Sequence, residues 1–316
     1  QSYGGSQYDE ARHFQETFDG GFIISGFTKS YGYGEEDIWI IKTSASGLID
    51  WNVNFGEGQN DRGAQILQTD EGGYIVIGEK YNIDLENSDL WLLKINSQGE
   101  LSWEKTLGST GDDRGYDIKN NRSGGYLLLG STNSFGNGGS DIWLINTDSD
   151  GNEIWSKTYG SSNNEYGRSI IDSDDGGYLI FATSESFGND NTGLHNIKID
   201  STGLEEWNKS FGGFYGKNGN VVRQSPNGGY ILISSRYNFN DNSYNMWLIK
   251  MDSNGSTEWT KTFGDSNNDY GFGIAITSDN GFILTGSTSN YGNSSSGLSD
   301  IWVIKTNLDG ETLDSN

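Results

Sequence analysis

The chain has 316 residues, a formal net charge of −24, no cysteine, 47 glycines and one proline. The charge disfavours nucleic acid and anionic lipid as partners, and the missing cysteine removes disulfide and thiolate–metal frameworks. No run approaches eighteen apolar residues, so no membrane insertion by a helix is expected; short apolar runs between Gly, Asn and Asp read as strands and turns.

Taken in chain order, the apolar runs repeat. An aromatic follows a Gly pair, or Asn-Gly in the last case, at Phe22, Tyr74, Tyr126, Tyr178, Tyr230 and Phe282, always 52 residues apart. A second anchor runs through Trp39, Trp91, Trp143, His195, Trp247 and Trp302, and a third through Trp51, Trp103, Trp155, Trp207 and Trp259. Within one repeat the spacing predicts four strands: A as in "GRSIIDS", B as in "YLIFATS", C as in "DIWLINT" and D as in "EIWSKTY". Helical periodicity is not sustained anywhere. Six such units fill the chain, which predicts one domain over 1–316, an all-β six-bladed β-propeller. "QSYGG" at the start matches the tail of strand D and "ETLDSN" at the end matches its head, so a strand shared between the termini is expected to close the ring.

The stretch "WSKTYGSSNNEYGRSIIDSDDGGYLI", residues 155–180, resembles the W-x-K-T-Y-G-G-S…D-G-G-Y-I repeats of secreted and cell-surface propeller proteins of Bacteroidetes and archaea. The resemblance covers nearly the whole chain. It implies an extracellular or cell-surface address, with adhesion or glycan contact. It does not specify an activity, because function lives in sites rather than in folds.

Sites are sought where the repeat breaks. In the fourth unit "GLHNIKI" puts His195 in place of a tryptophan and Asn196 in place of an aliphatic residue. The fifth unit opens with "GGFYGKNG", containing Tyr215 and Lys217, and its B–C loop adds Arg236, Tyr237 and Tyr244. Flat aromatic faces beside Asn, Arg and Lys donors suit a sugar. These seven residues are therefore the candidate ligand-binding set of a non-catalytic, monomeric binding or adhesion module whose partner is a glycan or a surface protein. The same departures are also what drift in one degenerate unit would leave.

The alternatives are a protein-binding scaffold domain of a larger surface protein and a carbohydrate-active enzyme, either a polysaccharide lyase or a glycoside hydrolase, working at the axial channel. For the enzyme His13, Arg12, Tyr116 and Arg168 are the candidates, the last three at equivalent strand A positions. Arg62 and Arg114 would hold carboxylated sugars or pair with nearby acids. No cofactor is implied except calcium, for which acids recurring before strand C (Asp37, Asp89, Asp141, Asp300) and strand A (Asp9, Asp61, Asp113, Glu165, Asp269) supply oxygen ligands. A residue repeated in most units more simply holds loop amides in each.

Overall fold

A computed structural model describes residues 1–186, 193–212, 221–289 and 299–312. The chain forms two compact units, Gln1–Ser162 and Asn163–Asn316, each built of three antiparallel blades of the β-propeller type. In the first unit, blade one holds β1 (Asp9–Glu16), β2 (Phe22–Thr28), β3 (Asp37–Thr43) and β4 (Ile49–Phe55). Blade two holds β5 (Arg62–Gln68), β6 (Tyr74–Asn82), β7 (Asn87–Ile95) and β8 (Leu101–Leu107). Blade three holds β9 (Asp113–Asn120), β10 (Tyr126–Thr132), β11 (Asp141–Thr147) and β12 (Glu153–Tyr159).

In the second unit, blade four holds β13 (Glu165–Asp172), β14 (Tyr178–Ser184), β15 (Gly193–Ile199) and β16 (Glu205–Gly212). Blade five holds β17 (Val221–Gln224), β18 (Tyr230–Asn238), β19 (Ser243–Met251) and β20 (Thr257–Phe263). Blade six shows β21 (Asp269–Ile276), β22 (Phe282–Thr288) and β23 (Asp300–Thr306), plus one bridge from Thr306 to Thr312. The expected closing strand would continue through residues 313–316, outside the described residues. At the other end, Tyr3 Oη donates to the Gly47 carbonyl at 2.6 Å.

The two tryptophan positions of a repeat pack differently. The strand C rings of Trp39, Trp91, Trp143 and Trp247 are buried and that of Trp302 is half-buried; the indole N–H of Trp39 reaches Asn52 (3.2 Å) and that of Trp91 reaches Glu104 (2.8 Å), both on strand D of the same blade. The strand D rings of Trp51, Trp103, Trp207 and Trp259 cross to the next blade of the same unit and lie on its C–D turn glycine. A Cβ on Gly99 would come within 3.0 Å of Trp51, and one on Gly151 within 2.6 Å of Trp103; Gly255 meets Trp207 and Gly310 meets Trp259 in the same way. Those turns also have positive φ, so glycine is required for two reasons. Apolar clusters fill the boundaries between neighbouring blades within each unit, around Ile38, Ile40, Ile66 and Trp91 in one and around Phe181, Leu194, Leu232 and Trp247 in another. Burying these faces is the main stabilising term.

A lysine on strand C pins the A–B turn. Lys198 Nζ, almost fully buried, bonds Asp175 (2.8 Å), Glu206 (2.7 Å) and the Ile199 carbonyl (3.2 Å). Lys42, Lys250 and Lys305 make equivalent contacts in their blades. In blade three Asn146 stands in this place and bonds Asn121 at 2.6 Å.

Candidate functional site

Strand A carries a β-bulge in every blade whose full strand is described. The residue skipped by the register is Arg12, Ala64, Tyr116, Arg168 or Phe272. A bulge re-aims the side chain it leaves unpaired. Three of the four enzyme candidates are thus bulge residues, which explains their equivalence in sequence.

In the first unit Arg12 and Tyr116 line one cavity of about 220 Å³ together with Arg62, Ala64, Glu79 and Arg114. Its cations carry carboxylate partners. Arg62 bonds Glu36 and reaches Glu79 at 3.2 Å; Arg114 forms an ion pair with the other oxygen of Glu79 at 2.7 Å and reaches Asp112 at 3.4 Å; Arg12 pairs with Glu10. Arg12 and Arg62 also sit over the Phe27 ring, at 5.3 and 5.7 Å. Arg62 and Arg114 therefore follow the acid-pairing expectation. His13, half-buried opposite Ser25, is not among the residues lining this cavity, and Arg168 belongs to the other unit, where it lies 5.4 Å from the Tyr166 ring.

The recurring acids hold loop amides. Asp61 accepts from the N–H groups of Glu57 (2.9 Å) and Tyr81 (2.8 Å), Asp37 from Tyr33 (2.7 Å), and Asp113 from Ser109 (3.0 Å). Burial raises the pKa of Asp61, Asp89 and Asp269 against these hydrogen bonds. Among the described residues no three His, Cys, Asp or Glu side chains gather as a metal-ligand group.

The ligand-binding candidates divide. Tyr215 and Lys217 lie outside the described residues. His195 is 4% exposed, paired in register with Ala182 and Ser210, with Nδ1 2.9 Å from Ser210 Oγ. Burial lowers its pKa to about 4, against the pull of Glu165 and Glu205, so the ring is neutral at pH 7. Asn196 is 0% exposed, and among the described residues neither its Oδ1 nor its Nδ2 finds a hydrogen-bond partner. Both are interior residues of blade four.

Arg236, Tyr237 and Tyr244 come together. Arg236 and Tyr237 line a cavity of about 460 Å³ with Asn238, Phe239, Asn240, Asn245 and Thr262, a volume suited to a small ligand. Tyr237 packs edge-on between Phe239 (5.1 Å, 86°) and Tyr244 (5.0 Å, 64°), and its hydroxyl donates to Asn242 Oδ1 at 3.2 Å. Phe239 is 63% exposed. The Arg236 guanidinium lies 5.3 Å from the Trp247 ring centre, held there by cation–π attraction.

Asn238, Phe239, Asn240 and Asn245 were missed in the sequence, although a signal exists. "KYNIDLENSD" in blade two parallels "RYNFNDNSYN" in blade five. Both loops cap nine-residue strand pairs, both have a left-handed residue (Glu86, φ 55°; Asn242, φ 57°), and Lys80 covers Trp91 at 4.7 Å as Arg236 covers Trp247. In blades one and three the lid is instead a loop ring, Tyr31 on Trp39 and Phe135 on Trp143. The blade-two loop borders a cavity of about 320 Å³ in which Tyr81, Asn82 and Ile83 stand beside the charged Glu57, Lys80, Asp84 and Asp89.

No protein-family model matches the chain, and no curated protein is significantly similar to it. Solved structures are. The β-propeller domain of the Trilobed protease from Pyrococcus furiosus is 8% identical with a TM-score of 0.50, over 95% of this chain and 82% of that one. BBS1N, solved in complex with ARL6DN, is 12% identical with a TM-score of 0.53 over 98% and 92%. Sqt1 from Chaetomium thermophilum is 13% identical with a TM-score of 0.52 over 96% and 70%. The shared fold is the β-propeller. At these identities the likeness extends to the fold alone.

Proposed function

We propose that the chain is a non-catalytic, monomeric binding module of the extracellular space or cell surface, and that it recognises a glycan through the B–C hairpin of blade five, the facing ends of β18 and β19 with the loop between them. The observation that carries this reading is the cavity of about 460 Å³ in which Tyr237 and Phe239 stand beside Arg236 and three asparagines. Apolar ring faces and amide or guanidinium donors are the two things a pyranose ring needs from a protein surface. The resemblance of the repeats to those of secreted and surface proteins supports the address.

The test is binding of the purified protein to a glycan and polysaccharide array, with calcium and with chelator, with product release assayed in the same wells. The reading expects selective binding without turnover, weakened about ten-fold or more by Tyr237→Ala. Release of reducing ends or unsaturated sugars would establish the enzyme instead. Loss of binding with chelator would assign calcium to the site. A blank array with capture of a surface protein would establish the scaffold role.

A further inference from the structure

We infer that the ligand is an uncharged, extended polysaccharide chain rather than a terminal sugar, and that it runs from the blade-five cavity onto the inner strand of blade six. This rests on the glycan reading above and adds the chemical class and length of what is bound.

The aromatic surface does not stop at the cavity. Beyond Tyr237 and Tyr244 it continues to Tyr270 (5.4 Å, 31° between planes) and then to Phe272 (6.4 Å, 7°). From Phe239 to Phe272 there are five rings in an unbroken series. The last two are almost parallel, and Phe272, the bulge residue of β21, is 39% exposed. A bulge has thus turned a phenylalanine towards solvent at the end of an aromatic row.

The fold does not require these rings. At the position of Tyr270 blades one to four have Glu10, Arg62, Arg114 and Tyr166, and at that of Phe272 they have Arg12, Ala64, Tyr116 and Arg168, so only blade six has a ring at both, with the outer one a phenylalanine. In the first unit the equivalent path is a ladder of ion pairs through Glu36 and Glu79. The row in blades five and six is also held in place. Ser243 Oγ donates to the Asp265 carbonyl (3.1 Å), the Tyr244 N–H to Asn268 Oδ1 (3.0 Å) and the Gly271 N–H to Ser235 Oγ (3.1 Å), so β18 and β19 of blade five are tied to β21 and to the connection that leads into it before any ligand arrives. Preorganisation of this kind lowers the entropy cost of binding.

The lack of charge follows from the surroundings. The cavity offers Asn238, Asn240 and Asn245 as neutral partners against one cation, Arg236. The protein's net charge of −24 repels polyanionic chains.

The test uses the full chain with three uncharged probe series, cello-, manno- and xylo-oligosaccharides, and one charged series, oligogalacturonates, each from dimer to hexamer and measured by calorimetry. The inference expects at least one series in which the hexamer binds about ten-fold or more tighter than the dimer. In Phe272→Ala that hexamer-to-dimer ratio collapses towards one, and in Phe272→Trp it is kept; a thermal melt confirms that both variants fold. Equal affinity for dimer and hexamer, or a ratio that survives Phe272→Ala, overturns the extended chain while leaving the glycan reading standing. Binding to charged glycans alone overturns the uncharged class, and binding to no glycan at all overturns both readings.

Discussion

Acidification should destabilise the second unit through His195. The ring is 4% exposed and its folded pKa lies at about 4, against about 6.5 in an unfolded chain. A histidine whose folded pKa is depressed contributes stability that is fully present above the unfolded value. That stability is lost as pH falls from about 6.5 towards 4, because the unfolded state binds the proton first. At about 1.4 kcal/mol per unit, the interval corresponds to roughly 3 kcal/mol. Asp61, Asp89 and Asp269 work in the opposite direction, since burial raises their pKa and their contribution is lost as pH rises through the folded value. The wild-type curve alone therefore mixes two signs, and the measurement must be a difference. Urea unfolding of the wild type and of His195→Gln, from pH 7.5 to pH 4, isolates the histidine: the variant should gain on the wild type by roughly 3 kcal/mol across that range. Parallel stability curves would refute the argument, because they would mean that His195 can take its proton without leaving the core.

Three further substitutions test the packing. Asn196→Leu gives blade four the residue found as Leu92, Leu144 and Leu248 and removes two buried unpartnered atoms. It should stabilise the protein by about 1–3 kcal/mol in urea unfolding. Lys250→Met strips the donor from the carbonyls of Gly228 and Met251 and from Glu258, and should cost about 2–4 kcal/mol by the same assay. Gly151→Ala places a methyl at φ +72° within 2.6 Å of the Trp103 ring, and should cost about 2–4 kcal/mol, visible as a lowered melting temperature.

The blades were legible because their anchors recur at fixed intervals with period-2 patterns between them. Phe22, Tyr74, Tyr126 and their counterparts begin strand B in every blade, as their position after the Gly pair implies. What period 2 cannot convey is a break in itself. The bulges that skip Arg12, Tyr116, Arg168 and Phe272 leave the sequence pattern intact while changing where each side chain points. The strand C lysines were readable in "IIKT", "LLKI" and "LIKM", yet a lysine among apolar residues marks a buried ion pair only when the turn acid that meets it is known.

The candidate site was half legible. Arg236, Tyr237 and Tyr244 stood out because they depart from the repeat, and they do cluster. His195 and Asn196 departed as clearly, yet they lie inside the blade. A break in a repeat does not reveal which face of the strand it falls on. Tyr270 and Phe272 escaped notice because each sits at a position that differs between blades, although Tyr166 in blade four matches Tyr270, and their significance lies in a row assembled across two blades.

The most direct test of the account is glycan binding by the wild type and by Tyr237→Ala, with Tyr81→Ala, the same change in the parallel loop of blade two, as the control. The account predicts a selective glycan whose affinity falls about ten-fold or more in Tyr237→Ala and stays at the wild-type value in Tyr81→Ala. Equal loss in both variants, or no loss in either, would contradict a site in blade five.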